Sequence, residues 1–203
     1  MRMTREEDIK KAVEVLRKGG VILYPTDTVW GIGCDATNVE AVKRVYEIKQ
    51  RDDSKALICL VDSDARMQRY FRNVPDVAWQ LIDSLKGSDS EPSGVVAGKP
   101  TTIILDGAIN LAPNLIAEDG SLGIRITNEP FSKELCYRFQ KALVSTSANI
   151  SGEPAAQNYC DIDPRIIEQV DYVCWSRRQE HKPHTPSCII RLKADGEVTI
   201  IRN

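Results

Sequence analysis

Short apolar runs alternate with amphipathic stretches through the first half of the chain, then crowd together towards its end. That order limits the architecture. Strands and helices taking turns build α/β units, while a late cluster of strands adds neighbours without crossover helices. The expected fold class is therefore α/β with a mixed sheet, not a purely doubly wound one. The runs are VILY at 21–24, ALICLV at 56–61, TTIIL at 101–105, LGIRIT at 122–127 and LVST at 143–146, followed by DYVCW, SCIIRL and EVTIIR. Between them, Thr4 with Glu7 is a capping-box signature. It opens a helix with an apolar face of Ile9, Ala12, Val13 and Leu16, which Gly19 and Gly20 stop. Asn38 caps a second helix, striped by Val39, Val42, Val45, Tyr46 and Ile48. Pro75 suits the first turn of a helix to about Lys86, and Pro130 one through Phe139. Residues 164–170 read as helical and 87–99 as a polar loop. No repeat or low-complexity linker divides the chain, so 1–203 is read as one domain.

Three polar loops adjoin apolar runs: PTDTVWG, STSANISG and HTPSC. They carry small hydroxyls, backbone donors and little bulk, and loops at strand ends are where α/β proteins hold ligands. None matches the P-loop pattern, and GIGCD at 31–35 lacks the third glycine of a dinucleotide fingerprint. The second helix runs into KQRDDSK, with Lys49, Arg51 and Lys55. Cations there complement the helix dipole. A helix ending between Lys49 and Arg51 would let both converge on one anion, as a point charge and a planar fork. Net charge is −2, which argues against a general nucleic-acid coat. No run reaches the ~20 apolar residues of a membrane span, and MRMTREEDIKK lacks the apolar stretch of a signal peptide. A cytoplasmic protein without a membrane partner is expected. The six cysteines, Cys34, Cys59, Cys136, Cys160, Cys174 and Cys188, form no CxxC pair and read as small buried residues. Cys174, His181, His184 and Cys188 are ligand types that suit zinc, but their spacing matches no compact zinc module, and no metal site is expected.

Taken in order, GGVILYPTDTVWGIGCDA at 19–36, KQR at 49–51 and STSAN at 145–149 resemble the N-terminal signature, the Lys-x-Arg and the Ser-x-Asn of the YrdC-type threonylcarbamoyl-AMP synthases. The resemblance runs from about residue 9 to residue 202. It implies a YrdC-like single domain, with a twisted mixed sheet and flanking helices around a large open cavity. It also implies a nucleotidyltransferase that makes L-threonylcarbamoyladenylate from L-threonine, bicarbonate and ATP, releasing pyrophosphate, for threonylcarbamoyladenosine modification of tRNA. By motif match, Thr28, Arg125 and Ser187 fall to threonine, and Lys49 and Arg51 to catalysis and the phosphates. Thr102, Ser145, Ser147, Asn149 and Arg202 join them on ATP. ATP is then a substrate, with Mg²⁺ held mainly by its phosphates. The implied partners are tRNA or double-stranded RNA and the proteins that transfer the threonylcarbamoyl group. Attack by a threonine N-carboxylate on the α-phosphorus needs in-line placement and charge neutralisation more than a protein nucleophile. The pattern departs from the family at Asp52 and Ala56, where proline is usual, at Lys99 in the turn before residue 101, and at Cys188, where threonine is usual. The alternative is a paralogue that binds RNA or a nucleotide without the synthase reaction. Such relatives typically lose Lys-x-Arg or Ser-x-Asn, and both are present here.

Overall fold

Helix α1, Arg5–Arg17, starts at the expected capping box: the Thr4 hydroxyl accepts from the Glu7 amide at 3.2 Å, and the Glu7 carboxylate accepts from the Thr4 amide at 2.8 Å. Its Ile9, Ala12, Val13 and Leu16 are buried. The chain reverses at Gly19, whose φ of 79° side chains disfavour. The computed structural model describes residues 3–52, 57–85, 99–181, 186–193 and 195–203. The departure at Ala56, the cation Lys55, the candidate ligand His184 and nearly all of the 87–99 loop lie outside them.

Strands β1 (Ile22–Tyr24) and β2 (Gly31–Gly33) lead to α2, Val39–Lys49, which Asn38 caps as expected. Then come β3 (Ile58–Val61), α3 (Asp64–Gln68), α4 (Asp76–Leu85), β4 (Thr101–Leu105) and β5 (Leu122–Ile126). Helix α5 (Pro130–Phe139), β6 (Leu143–Ser147), α6 (Pro164–Ile167), β7 (Tyr172–Val173), β8 (Cys188–Leu192) and β9 (Val198–Arg202) complete the order. The strands form one sheet ordered β7-β1-β2-β6-β3-β5-β4-β8-β9. It is mixed: β1–β7, β3–β5 and β4–β8 are parallel, and the other neighbours antiparallel.

Two elements differ from the sequence reading. GIG, read as loop, is a strand because it pairs on both sides, with β1 and with β6. Helix α3 carries little apolar periodicity and is fixed by its Ser63 cap and the buried Met67. Cys160 is exposed, unlike the other five cysteines.

Alternation along the strands divides the side chains between two faces. Ile22, Tyr24, Leu60 and Leu143 join Phe131 and Leu135 under α1 and α5. Leu23, Ile32, Cys59, Val61, Ile103 and Ile124 belong to a larger cluster that includes Val42 and Val45 of α2 and Ala78 and Ile82 of α4. Helices α1 and α5 pack on β1, β3 and β7. The rest of their face, towards β4, β8 and β9, keeps a concavity.

Candidate functional site

Tyr24 is fully buried behind the concavity, against the lining residues Gly31 and Ser145. Its ring lies over β2 and its hydroxyl donates to Ser145 Oγ at 2.8 Å. A Cβ at Gly33 would come within 2.7 Å of that ring, and one at Gly31 within 3.2 Å of Thr26 Cγ2. The missing bulk in this stretch is thus set by close approach. After Pro25 the loop closes on itself. Thr26 Oγ1 donates to the Val29 carbonyl at 2.6 Å, accepts from the Thr28 amide at 3.0 Å and lies 3.1 Å from Thr28 Oγ1.

Arg125, in β5, points into this region and is only 4% exposed. Its Nη2 lies 3.0 Å from Asp27 Oδ1 and 3.5 Å from Thr28 Oγ1, and Nη1 donates to Thr102 Oγ1 at 3.4 Å. Its Nε has no hydrogen-bond partner among the described residues. Burial raises the Asp27 carboxyl above its ordinary range, against the pull of the Arg125 charge. Thr102 Oγ1 lies 3.1 Å from Ser187 Oγ, to which Arg202 Nη2 donates at 3.2 Å, while Arg202 Nε donates to the Ser187 carbonyl at 2.9 Å. The pairing of Thr102 with Ile189, and of Ile189 with Arg202, places this row across β4, β8 and β9.

Thr28, Thr102, Arg125 and Ser187 line one cavity of 280 Å³. Ser145 and Ser147 of β6 also line it, as do Arg51 and Arg202. The structure thus brings together most of the residues singled out in the sequence, which converge from seven separated stretches. Val29, Ile58 and Ile189 add apolar wall. A buried guanidinium with an open donor, ringed by hydroxyls and flanked by two further arginines, favours a small anionic ligand.

Lys49 and Asn149 are not among the lining residues. Lys49 ends α2, is 1% exposed, and donates through Nζ to the carbonyls of Ser147 at 2.5 Å and Asn149 at 2.8 Å, with Asn149 Oδ1 at 3.4 Å. Its own carbonyl accepts from the Ser151 amide at 2.8 Å. Asn149 Nδ2 donates to the carbonyls of Ile150 and Glu153. Between Lys49 and Arg51 stands Gln50 in the left-handed region, φ 49°. The two cations therefore part company instead of converging, with the ammonium behind the 147–151 turn and the guanidinium at the cavity. Burial, and then the nearby Arg51 charge, lower the Lys49 amine to about 8.

Sequence reasoning missed Tyr24, Thr26 and Asp27. Tyr24 and Thr26 were legible in principle, since they flank the proline of the singled-out loop. Of the cysteines weighed for zinc, Cys174 and Cys188 sit in different apolar clusters. Among the described residues no group of three or more His, Cys, Asp or Glu is gathered to hold a metal.

A larger cavity, 960 Å³, lies across the sheet. Thr101, Ile103, Ile124 and Ile126 line it, out of phase with Thr102 and Arg125, and it reaches round the strand ends to Asp62, Glu129 and Arg177. Those charges are paired: Arg66 with Asp62 at 2.9 Å, and Arg177 with Glu129 at 3.3 Å and Glu180 at 2.7 Å.

A Sua5/YciO/YrdC family model, described as telomere recombination, matches residues 14–203. A threonylcarbamoyl-AMP synthase of Pseudoalteromonas translucida (strain TAC 125) is 33% identical over 172 residues, 84% of this chain and 86% of that protein. One of Stenotrophomonas maltophilia (strain K279a) is 35% identical over 169 residues, 82% of this chain and 85% of that protein. Among solved structures, E. coli YciO superposes with a TM-score of 0.79 at 24% identity, over 100% of this chain and 91% of its own. P. abyssi Sua5 complexed with L-threonine does so with a TM-score of 0.77 at 21% identity, over 95% of this chain. This chain covers only 52% of that Sua5 chain, about half its length. At such identities both structures show the fold alone.

Proposed function

The chain belongs to the Sua5/YciO/YrdC family, and on that premise we propose that it is a nucleotidyltransferase making L-threonylcarbamoyladenylate from L-threonine, bicarbonate and ATP, with release of pyrophosphate. The observation that carries this reading is Arg125, buried in a hydroxyl-lined cavity with its Nε unpartnered among the described residues. The threonine carboxylate meets that guanidinium, and Thr28 and Ser187 supply hydroxyls beside it. Arg51 and Arg202 take the ATP phosphates, where planar donors suit a polyphosphate. Thr102, Ser145 and Ser147 add neutral donors. Lys49 and Asn149 serve the nucleotide by fixing the 147–151 turn.

The chemistry asks for placement. The threonine amine and bicarbonate give an N-carboxylate and water. The carboxylate oxygen bonds to the α-phosphorus as the bond to the pyrophosphate leaving group breaks. Arginines around the phosphates neutralise the charge that develops there. Mg²⁺ comes with the nucleotide, held by its phosphates and by water. The sheet continuous from β7 to β9 supports reading 1–203 as one domain. Among the described residues no helix is long and apolar enough to cross a membrane. We place the protein in the cytoplasm, with tRNA and a threonylcarbamoyl-transfer protein as consumers of the labile product. The test is incubation with ATP, threonine and bicarbonate, each omitted in turn, with pyrophosphate and the adenylate measured together. Pyrophosphate release that ignores threonine would overturn the reading.

A further inference from the structure

We propose that Arg177 is a positioning residue of the amino-acid subsite, holding the 26–28 loop against Arg125 through the Thr26 carbonyl. This rests on the reading of that cavity as the threonine site. The loop is gripped from two sides. Arg125 takes its side chains, at Asp27 and Thr28. Arg177 takes its backbone: Nη1 donates to the Thr26 carbonyl at 2.8 Å, across 151 residues of sequence. Arg177 lines the larger cavity and not the smaller, so it acts through the loop.

The guanidinium is itself aimed. Glu129 and Glu180 hold it at 3.3 and 2.7 Å, and Glu129 is fixed in turn by accepting from the Phe131 and Ser132 amides at the start of α5. Arg177 has a φ of 63°, a left-handed backbone that persists only where its surroundings enforce it. The enforcement is visible. Asp8, fully buried in α1, accepts from the Trp175 and Ser176 amides and from the Tyr172 hydroxyl. Arg178 donates to the carbonyls of Val173 and Cys174 and lies over the rings of Trp175 and Tyr159 at 5.0 and 4.9 Å. The turn is locked on both flanks, and the residue between them points at the loop.

Loss of this grip lets Thr28 move from Arg125 while Arg51, Ser147 and Arg202 stay in place, so the two substrates separate the effect. Arg177→Ala should raise the threonine KM about tenfold, the size expected for one charge-assisted hydrogen bond, and leave the ATP KM within about twofold. Arg177→Lys should recover part of the loss. The Thr28 amide, bonded to Thr26 Oγ1, should exchange with deuterium faster in Arg177→Ala. An unchanged threonine KM, or both KM values rising together, would overturn the proposal. Should the wild-type protein release no threonine-dependent pyrophosphate, the threonine reading itself falls. The exchange rate of the Thr28 amide then decides alone: faster in the variant upholds the grip, unchanged removes it.

Discussion

Thr101 and Thr102 are neighbours in β4 and face opposite cavities. Thr101 borders 960 Å³ and Thr102 borders 280 Å³, yet the smaller space carries the chemistry proposed here. The larger one is floored by isoleucines, and three of the acidic groups around it find protein partners: Asp62 has Arg66, and Glu129 and Glu180 share Arg177. In the smaller one a buried guanidinium keeps an Nε without a partner among the described residues. Volume records how well surfaces happen to pack. A site is marked by polar groups whose partners the fold does not supply, because burying such a donor without reward is costly.

The largest effect that could break this contrast comes from two buried arginines, one beside each cavity. Removing either leaves a carboxylate behind without its cation, Asp62 buried and Asp27 largely so, a loss of up to about 3–5 kcal/mol of stability, smaller at Asp27. Only Arg125→Ala should also lower catalytic efficiency, by about a hundredfold or more, the equivalent of two charge-assisted contacts. Arg66→Ala, assayed per folded molecule, should keep wild-type turnover. Equal losses in the two variants would show that the distinction between the cavities is false.

Lys49 sharpens the contrast from within the site. Like Arg66 it is a buried cation that donates to backbone carbonyls, but its acceptors lie in the 147–149 segment and its amine is lowered to about 8. The unfolded chain keeps that proton up to the ordinary lysine value, so between about pH 8 and pH 10.5 the unfolded state binds more protons. Stability must then rise with pH in this window, by up to about 3 kcal/mol from this residue. Below pH 8 both states are charged and the residue adds no slope. Denaturant unfolding of wild type and Lys49→Met from pH 7 to 10.5 measures it: the difference should shift towards the wild type above pH 8. A flat difference would mean that the amine titrates as in water.

Arg51 comes next. If it meets ATP phosphates, Arg51→Ala removes a contact of roughly 1.5–3 kcal/mol, about a ten- to 150-fold loss in catalytic efficiency. Arg51→Lys should restore only part, since the fork is lost. Unchanged ATP affinity and pyrophosphate release in Arg51→Ala would remove this residue from the phosphate side.

The sequence separated these two cations poorly, and the reason is physical. Their spacing and the helix end were legible, because Asn38 and the apolar stripe define α2. That Gln50 would take a left-handed backbone and send Lys49 into the interior was not, since lysines at helix ends are mostly solvated. The hydroxyl row was half legible. TTIIL and LGIRIT announce strands, and alternation puts Thr102 and Arg125 each on one face, but nothing local says that the faces coincide. Strand β2 was hidden because glycine carries no strand preference; partners on both sides make it. The grip of Arg177 on Thr26 joins residues too far apart for any local pattern to reveal.

The smallest effect returns to β4. Thr102 Oγ1 lies 3.1 Å from Ser187 Oγ and accepts from Arg125 at 3.4 Å, while Thr101 Oγ1 donates to the Lys99 carbonyl at 3.1 Å, outside that network. Valine replaces threonine at nearly constant shape, so each substitution removes one hydroxyl and little else. Thr101→Val should lose about 1 kcal/mol of stability, as for one neutral hydrogen bond, and Thr102→Val somewhat more, since its hydroxyl meets both Ser187 and the Arg125 guanidinium. Their activities should diverge. Thr102→Val takes a partner from Arg125 and from Ser187, loosening two groups assigned to threonine, and should lower catalytic efficiency about fivefold. Thr101→Val should stay within about twofold of wild type. The comparison depends on a single step along one strand, so it isolates the face from the neighbourhood. A larger loss at Thr101 than at Thr102 would move the reaction to the other side of the sheet, and the assignment of Arg125 would go with it.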